Sequence, residues 1–231
     1  SLLRLLYTVC LPAQALWGEI LAVLSAATML YGNLAAIPQT NIKRLLGYSS
    51  IGHAGYLLMG LSTASAFGAR AVGMYLIAYL VSNLAAFLVV AIVSSAPRAG
   101  AGQAVDSDAL DRYNGLSRRS PLLAAALFVA LLSLAGVPPL AGFIGKLFVL
   151  LATVEDQRLW LVAIGALNVV ISLYYYLMVV RRMYLLQPAS TEPIPIDPLT
   201  RFTLLALLVA IVVIGTFQDP FLRLISSAIT F

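Results

Sequence analysis

The chain has 231 residues, of which 61% are hydrophobic and only 10% charged, and its mean hydropathy is +0.97. That balance excludes an ordinary soluble domain and makes lipid the expected solvent. A single cysteine, Cys10, and a single histidine, His53, exclude an internal disulfide, a zinc site, a cysteinyl iron–sulfur cluster and bis-histidine haem ligation, so no cofactor is expected in this chain. The net charge of +5 comes without a basic stripe interleaved with aromatics, so nucleic acid is not an expected partner and the charge reads as loop lysine and arginine of a multi-pass membrane protein.

Residues 1–16 read as the end of a preceding helix or an outer loop. The opening SLLRLLYTVCLP has no basic region followed by an A-x-A cleavage site, and its abrupt apolar start without methionine suggests a fragment. Apolar segments follow at 17–38, 45–66, 71–96, 121–154, 159–185 and 202–217. Each is long enough for the roughly 20 residues that cross a hydrocarbon core of about 30 Å. The expected fold is therefore an all-α integral membrane domain of about six transmembrane helices. With the 39–44 loop (QTNIKR) in the cytoplasm, nine basic residues (Lys43, Arg44, Arg98, Arg112, Arg118, Arg119, Arg181, Arg182 and Arg201) fall on that side, and four (Arg4, Arg70, Arg158 and Arg223) on the other. The positive-inside bias then points both ends of the chain outward.

The 97–120 loop mixes Gly, Asp and Arg as a solvated connector does, with Asp106, Asp108 and Asp111 expected as surface charge. The 188–198 stretch, PASTEPIPIDP, has four prolines, which forbid helix and favour an extended linker. The last span, Phe202–Phe217, is almost wholly apolar and suits packing against lipid or a neighbouring subunit. Glu19 and Asp219 read as interfacial ends.

Segment 121–154 has 34 residues and as one helix would reach about 50 Å, well beyond the apolar core. The sequence SLAGVPPLAGFIGK forces a break between Gly136 and Pro139: Pro138 and Pro139 remove two backbone donors, and Gly136, Gly142 and Gly145 permit unusual dihedrals and close approach. Backbone groups freed at membrane depth require protein or water to satisfy them, so the break signals a cavity.

Lys146 follows the break, nine residues before Glu155 and so about 13 Å inward along a helix. Intramembrane ionisable groups mark ion pathways, and a desolvated lysine can load and release a proton. The alternative is a lysine held by backbone carbonyls only to pin the broken helix. His53 lies ten residues from Lys43, about 15 Å inward, at similar depth on a helix of opposite direction. It suits a relay, since imidazole both donates and accepts, or a simple interhelical hydrogen bond. Ser49 lies one turn before it, and Gly52 and Gly55 thin the helix for close approach. Asn168, and Asn83 with Ser82, also fall near mid-depth, to order water between titratable groups or to glue helices. Of Tyr174, Tyr175 and Tyr176, one or two can face a cavity, with Tyr175 the candidate.

Three stretches carry a resemblance: AIPQTNIKRLLGYSSIGHAGYLLMG, SLAGVPPLAGFIGKLFVL and NVVISLYYYLMVVRRMY, joined by the connector DRYNGLSRRSPLLA. They resemble the subunit N family of proton-translocating NADH-quinone oxidoreductase (respiratory complex I), within the antiporter-like superfamily. Subunits M and L and the large subunits of multisubunit cation/proton antiporters share the plan, but GYLLMG and AGFIGK look more like subunit N.

The resemblance implies two inverted five-helix repeats, each with a broken helix. This chain would supply the second, over residues 17–186, followed by a linker and final helix over 187–231. Lys146 would then be the lysine of the outward half-channel and His53 a residue of the central hydrophilic axis. Also implied are a cell inner (plasma) membrane location and proton translocation driven by quinone reduction, with quinone, FMN and iron–sulfur clusters in partner subunits. Antiporter-like subunit M and small membrane subunits would be neighbours, and the chain would belong to an enzyme without holding a redox site. The first-repeat glutamate and lysines have no counterpart here, which leaves open a structural or assembly module lacking its first half, or a sodium/proton antiporter component.

Overall fold

The structure, a computed structural model, describes residues 13–96, 107–188 and 192–228. The expectations for residues 1–12 with Arg4 and Cys10, for Arg98 and Asp106, and for 189–191 lie outside the described residues. Nine α-helices occur among the described residues: α1 (Gln14–Ala36), α2 (Ile42–Ser62), α3 (Ala66–Ser95), α4 (Leu116–Arg119), α5 (Pro121–Ala135), α6 (Ala141–Glu155), α7 (Leu159–Leu185), α8 (Pro198–Thr216) and α9 (Asp219–Ala228). A 3-10 turn, Leu110–Tyr113, precedes α4. Side-chain caps start three helices: Asn41 Oδ1 accepts from the Arg44 N–H at 3.1 Å, Ser65 Oγ from Gly68 at 2.9 Å, and Asp197 Oδ2 from Thr200 at 2.9 Å. Each takes up a backbone donor that the first helical turn leaves unpaired.

Only four described helices are long and apolar enough to cross a membrane: Leu16–Ala36, Ala66–Ser95, Leu159–Leu185 and Pro198–Thr216. The expectation of six transmembrane helices is corrected accordingly. The break turns the 121–154 segment into α5 and α6, each of 15 residues and about 22 Å long, shorter than the apolar core. Helix α2 has 21 residues but carries Lys43, Arg44, His53 and a run of Gly and Ser, which dilute its hydropathy. A ten-residue amphipathic helix, α9, was also unforeseen. It is too short and mixed for an apolar-run reading, yet it packs Phe221, Leu222 and Ile225 on the core, with Ile225 lying over Gly73 of α3.

Small residues set how closely α1 and α2 approach. A Cβ on Gly32 would collide with the backbone N of Gly52 and lie 2.8 Å from the Tyr48 carbonyl, so backbone lies directly on backbone. Ser25 Oγ donates to the Gly55 carbonyl at 2.7 Å across the same seam. Helix α3 runs through the middle, against α2, α5, α6, α8 and α9.

At the basic end, the Ile42 N–H donates to the Asp108 carbonyl at 2.9 Å and the Leu110 N–H to the Thr40 carbonyl at 2.8 Å. The Asp108 carboxylate meets Lys43 Nζ at 2.9 Å and accepts from Ser94 Oγ at 2.7 Å. The Lys43 hydrogen bond, with that of Ser94, holds the Asp108 carboxyl below the usual carboxylate range. Asp108 is therefore a clasp between α2, α3 and the connector rather than free surface charge. Arg112 donates to the Val93 and Ala96 carbonyls at 2.9 and 2.6 Å and closes the end of α3, where a cation also suits the helix dipole. Asp111 pairs with Arg182 at 2.5 Å and is exposed. At the other end Arg158 joins Glu19 at 3.3 Å, Asp156 at 2.7 Å and the Gly18 carbonyl at 2.7 Å.

The seam gives the first test. Gly32→Val should lower stability by about 1–3 kcal/mol through overpacking, seen as a lower melting temperature in detergent. Gly47→Ala, where a Cβ meets nothing within 4 Å, should leave it unchanged or raised; equal loss in both variants would contradict the close approach.

Candidate functional site

The site is built on the break. Helix α5 ends at Ala135, and Gly136 adopts a left-handed φ of 90°, a conformation that favours glycine. Its N–H reaches the Leu132 and Ser133 carbonyls at 3.1 and 3.0 Å, and the Val137 N–H reaches Leu132 at 3.0 Å. Pro138 and Pro139 sit exposed in the connector, with the Pro139 carbonyl against Gly215 of α8. Helix α6 then restarts at Ala141. The break expected between Gly136 and Pro139 is thus present.

Two side chains satisfy the groups it frees. Lys146 Nζ, on a side chain 3% exposed, donates to the Ala135 carbonyl at 2.9 Å and lies 5.1 Å from the centroid of the Tyr56 ring. The cation thereby sits at the negative end of α5 and over a ring face, two environments that favour positive charge. No ion pair joins Lys146 to a carboxylate among the described residues. Ser133 Oγ accepts from the Gly142 N–H at 3.0 Å and lies 2.7 Å from Ser82 Oγ. Because the Ser82 hydroxyl donates to the Ala78 carbonyl at 2.8 Å, Ser133 must donate to Ser82. The sequence Gly142 N–H to Ser133 to Ser82 to Ala78 runs one way and ends on a carbonyl, so it is a latch joining α6, α5 and α3, not a proton path.

Lys146 and His53 line one small cavity of about 10 Å³, with Tyr75, Tyr79, Ser82, Ser133 and Gly142 among its walls. Water-sized space within it is narrow, enough for about one molecule. His53 is bonded on both sides: Nδ1 to Tyr75 OH at 2.6 Å and Nε2 to Tyr176 OH at 3.3 Å. The ring lies 4.8 Å from that of Tyr79, centroid to centroid. Tyr176 OH is in turn hydrogen-bonded to Ser49 Oγ. A neutral imidazole donates through one nitrogen and accepts through the other, so its two phenol partners take opposite roles, and moving one proton through the ring reverses both.

Of the expected residues, the structure brings Lys146, His53 and Ser49 into this arrangement. Asn168 and Tyr175 form a buried cluster with Asn33, which adjoins the His53 network through the Tyr175 and Tyr176 rings, 4.5 Å apart: Asn33 Nδ2 donates to Asn168 Oδ1 at 2.9 Å, and Tyr175 OH to Asn33 Oδ1 at 2.9 Å. Asn83 is half-buried and does not line the cavity, which its neighbour Ser82 does. Asn33, Tyr56, Tyr75, Tyr79, Ser133 and the partner role of Tyr176 were missed. A signal existed for three cavity residues, since Tyr75, Tyr79 and Ser82 recur at i, i+4 and i+7 on α3, one face of a helix. Among the described residues no cluster of His, Cys, Asp and Glu could hold a metal ion.

The described residues thus form an all-helical bundle with membrane-spanning helices, a lysine capping the broken end of one helix and a histidine across a shared cavity. The chain belongs to the family described as NADH:quinone oxidoreductase/Mrp antiporter, TM, which matches residues 1–172. NADH-quinone oxidoreductase subunit N of Heliobacterium modesticaldum is 42% identical over 210 residues, which cover 91% of this chain and 43% of that protein. A chain of respiratory complex I from Thermus thermophilus, solved with bound Aureothin, is 35% identical with a TM-score of 0.76, over 89% of this chain and 45% of that one. The Mrp complex from Dietzia sp. shares the fold, with a TM-score of 0.84 at 22% identity over 98% of this chain and 49% of its counterpart. The chain thus spans under half the length of the relatives it matches.

The latch gives the second test. Ser133→Ala leaves the buried Gly142 N–H without its acceptor and should cost about 1–3 kcal/mol, read as a lower melting temperature. A loss within error of zero would remove Ser133 from the support of the break.

Proposed function

We propose that this chain is part of a proton-translocating membrane subunit of an NADH-quinone oxidoreductase, in the bacterial cell membrane. Lys146 exchanges a proton with the His53–Tyr75–Tyr176 network through the cavity they share, while quinone reduction with FMN and iron–sulfur clusters takes place in partner subunits, and antiporter-like and small membrane subunits flank it. The observation that carries this reading is a buried, carboxylate-free lysine facing a histidine with phenol partners on both nitrogens. The subunit N relative supports the assignment to a redox-linked complex. Asn33, Asn168 and Tyr175 rank here as interhelical ties that hold α1 against α7.

The Lys146–Ala135 hydrogen bond favours a second reading, in which the lysine only fastens the break. The two part in one experiment on the assembled complex. Lys146→Ala should lower the protons moved per NADH oxidised while subunit composition stays intact. Full pumping in an intact Lys146→Ala complex would refute the transfer role, and failure to assemble would support the fastening role. His53→Ala should likewise reduce pumping, and an unaltered proton yield would return His53 to a helix-to-helix bond.

A further inference from the structure

At the basic end of α2 lies a groove unrelated to the cavity. It is an open depression of about 490 Å³, lined by Gln39, Arg44, Gly47, Tyr48 and Ile51. Arg44, Gly47 or Tyr48, and Ile51 follow one another at helical spacing on one face of α2. The groove therefore begins at a guanidinium near the helix start and runs about 10 Å inward over a bare glycine, an aromatic ring and an aliphatic side chain. The space at Gly47 is real: a Cβ there would meet no atom within 4 Å. Tyr48 stands edge-on to the exposed Tyr31 of α1, with ring centroids 6.2 Å apart, which gives the groove an aromatic flank of the kind found where headgroups meet acyl chains.

The charges at this end are unequal in their occupation. Lys43 is held by Asp108 at 2.9 Å. Arg44 uses its backbone N–H for the Asn41 cap, and its guanidinium has no side-chain partner among the described residues. Gln39 spends one amide N–H on the Ala35 carbonyl at 2.9 Å and has a second to offer. A planar guanidinium beside an amide N–H matches phosphate oxygens, which it can grip with two parallel hydrogen bonds. No carboxylate lines the groove to receive the ammonium of a zwitterionic lipid.

We propose that this groove binds an anionic phospholipid, its phosphate on Arg44 and Gln39 and one acyl chain laid along Gly47 and Ile51. Polar groups at the mouth and apolar groups deeper in the membrane repeat the order of the lipid itself. The site is independent of the proton-transfer reading.

The test uses the native membrane assembly containing the chain, in phosphatidylcholine nanodiscs doped with phosphatidylglycerol bearing a photoactivatable acyl chain, with labelled peptides mapped by mass spectrometry. Label should fall on the Gly47–Ile51 stretch and drop about fivefold in Arg44→Gln, the factor expected of one interfacial arginine. It should drop equally in Gly47→Leu, whose side chain starts from a Cβ position open to 4 Å and occupies the groove. Three results would each overturn the proposal: equal labelling by the phosphatidylcholine analogue, loss of label on adding inorganic phosphate, or no label on this stretch in the unmodified protein, as when another protein segment covers the groove.

Discussion

The hydrogen bond from Lys146 Nζ to the Ala135 carbonyl is the contact on which the rest of the arrangement depends. A helix interrupted inside a low-dielectric bundle leaves carbonyls and N–H groups that water cannot reach, and each left unpaired is costly. A buried ammonium is costly for the same reason. Placing the two together, at the negative end of α5 and against the Tyr56 ring, lets each reduce the penalty of the other. The break is therefore as much a requirement of the lysine as the lysine is of the break.

The surroundings follow from that pairing. Gly136 in a left-handed conformation ends α5 where its carbonyl can meet a side chain arriving from α6. The Ser133 latch fixes the restart of α6 against α3, and with it the line of approach of Lys146. The α3 face that carries Ser82 also carries Tyr75, whose phenol bonds His53, and Tyr79, whose ring lies against it, while α7 brings the second phenol, Tyr176. A serine pair ending on a carbonyl holds the frame, whereas the histidine with two exchangeable phenol partners can move a proton. In the proposed function, position and transfer are divided between neighbouring residues of one cavity.

Much of this was legible in the sequence wherever a residue conflicts with its surroundings. Lys146 in an apolar run, two prolines in a segment too long for the bilayer, and His53 beside small residues each announce themselves, and the structure breaks the segment at the prolines and brings Lys146 and His53 to one cavity. Residues that fit either a packing or a polar role stayed silent. Tyr175 was preferred to its neighbour Tyr176, and Tyr56 and Asn33 were passed over inside apolar segments, because burial direction on a helix is set by tertiary contacts. The count of spanning helices failed for another reason: the broken 121–154 segment was counted as one span although each half is short by itself, and α2 was counted although Lys43, Arg44, His53 and its Gly and Ser residues dilute its hydropathy. Asp108 looked like loop charge because its partners Lys43 and Ser94 are remote in sequence.

The central claim is that Lys146 and His53 act on one proton path through a shared cavity, and its most direct measurement is a double-mutant cycle. Proton transfer per turnover is measured in the assembled complex for the unmodified protein, Lys146→Ala, His53→Ala and the pair. Groups in one path give strongly non-additive losses, with the double variant little worse than the Lys146 variant alone. Losses that simply multiply would contradict a common path and leave the two residues as independent supports of the bundle.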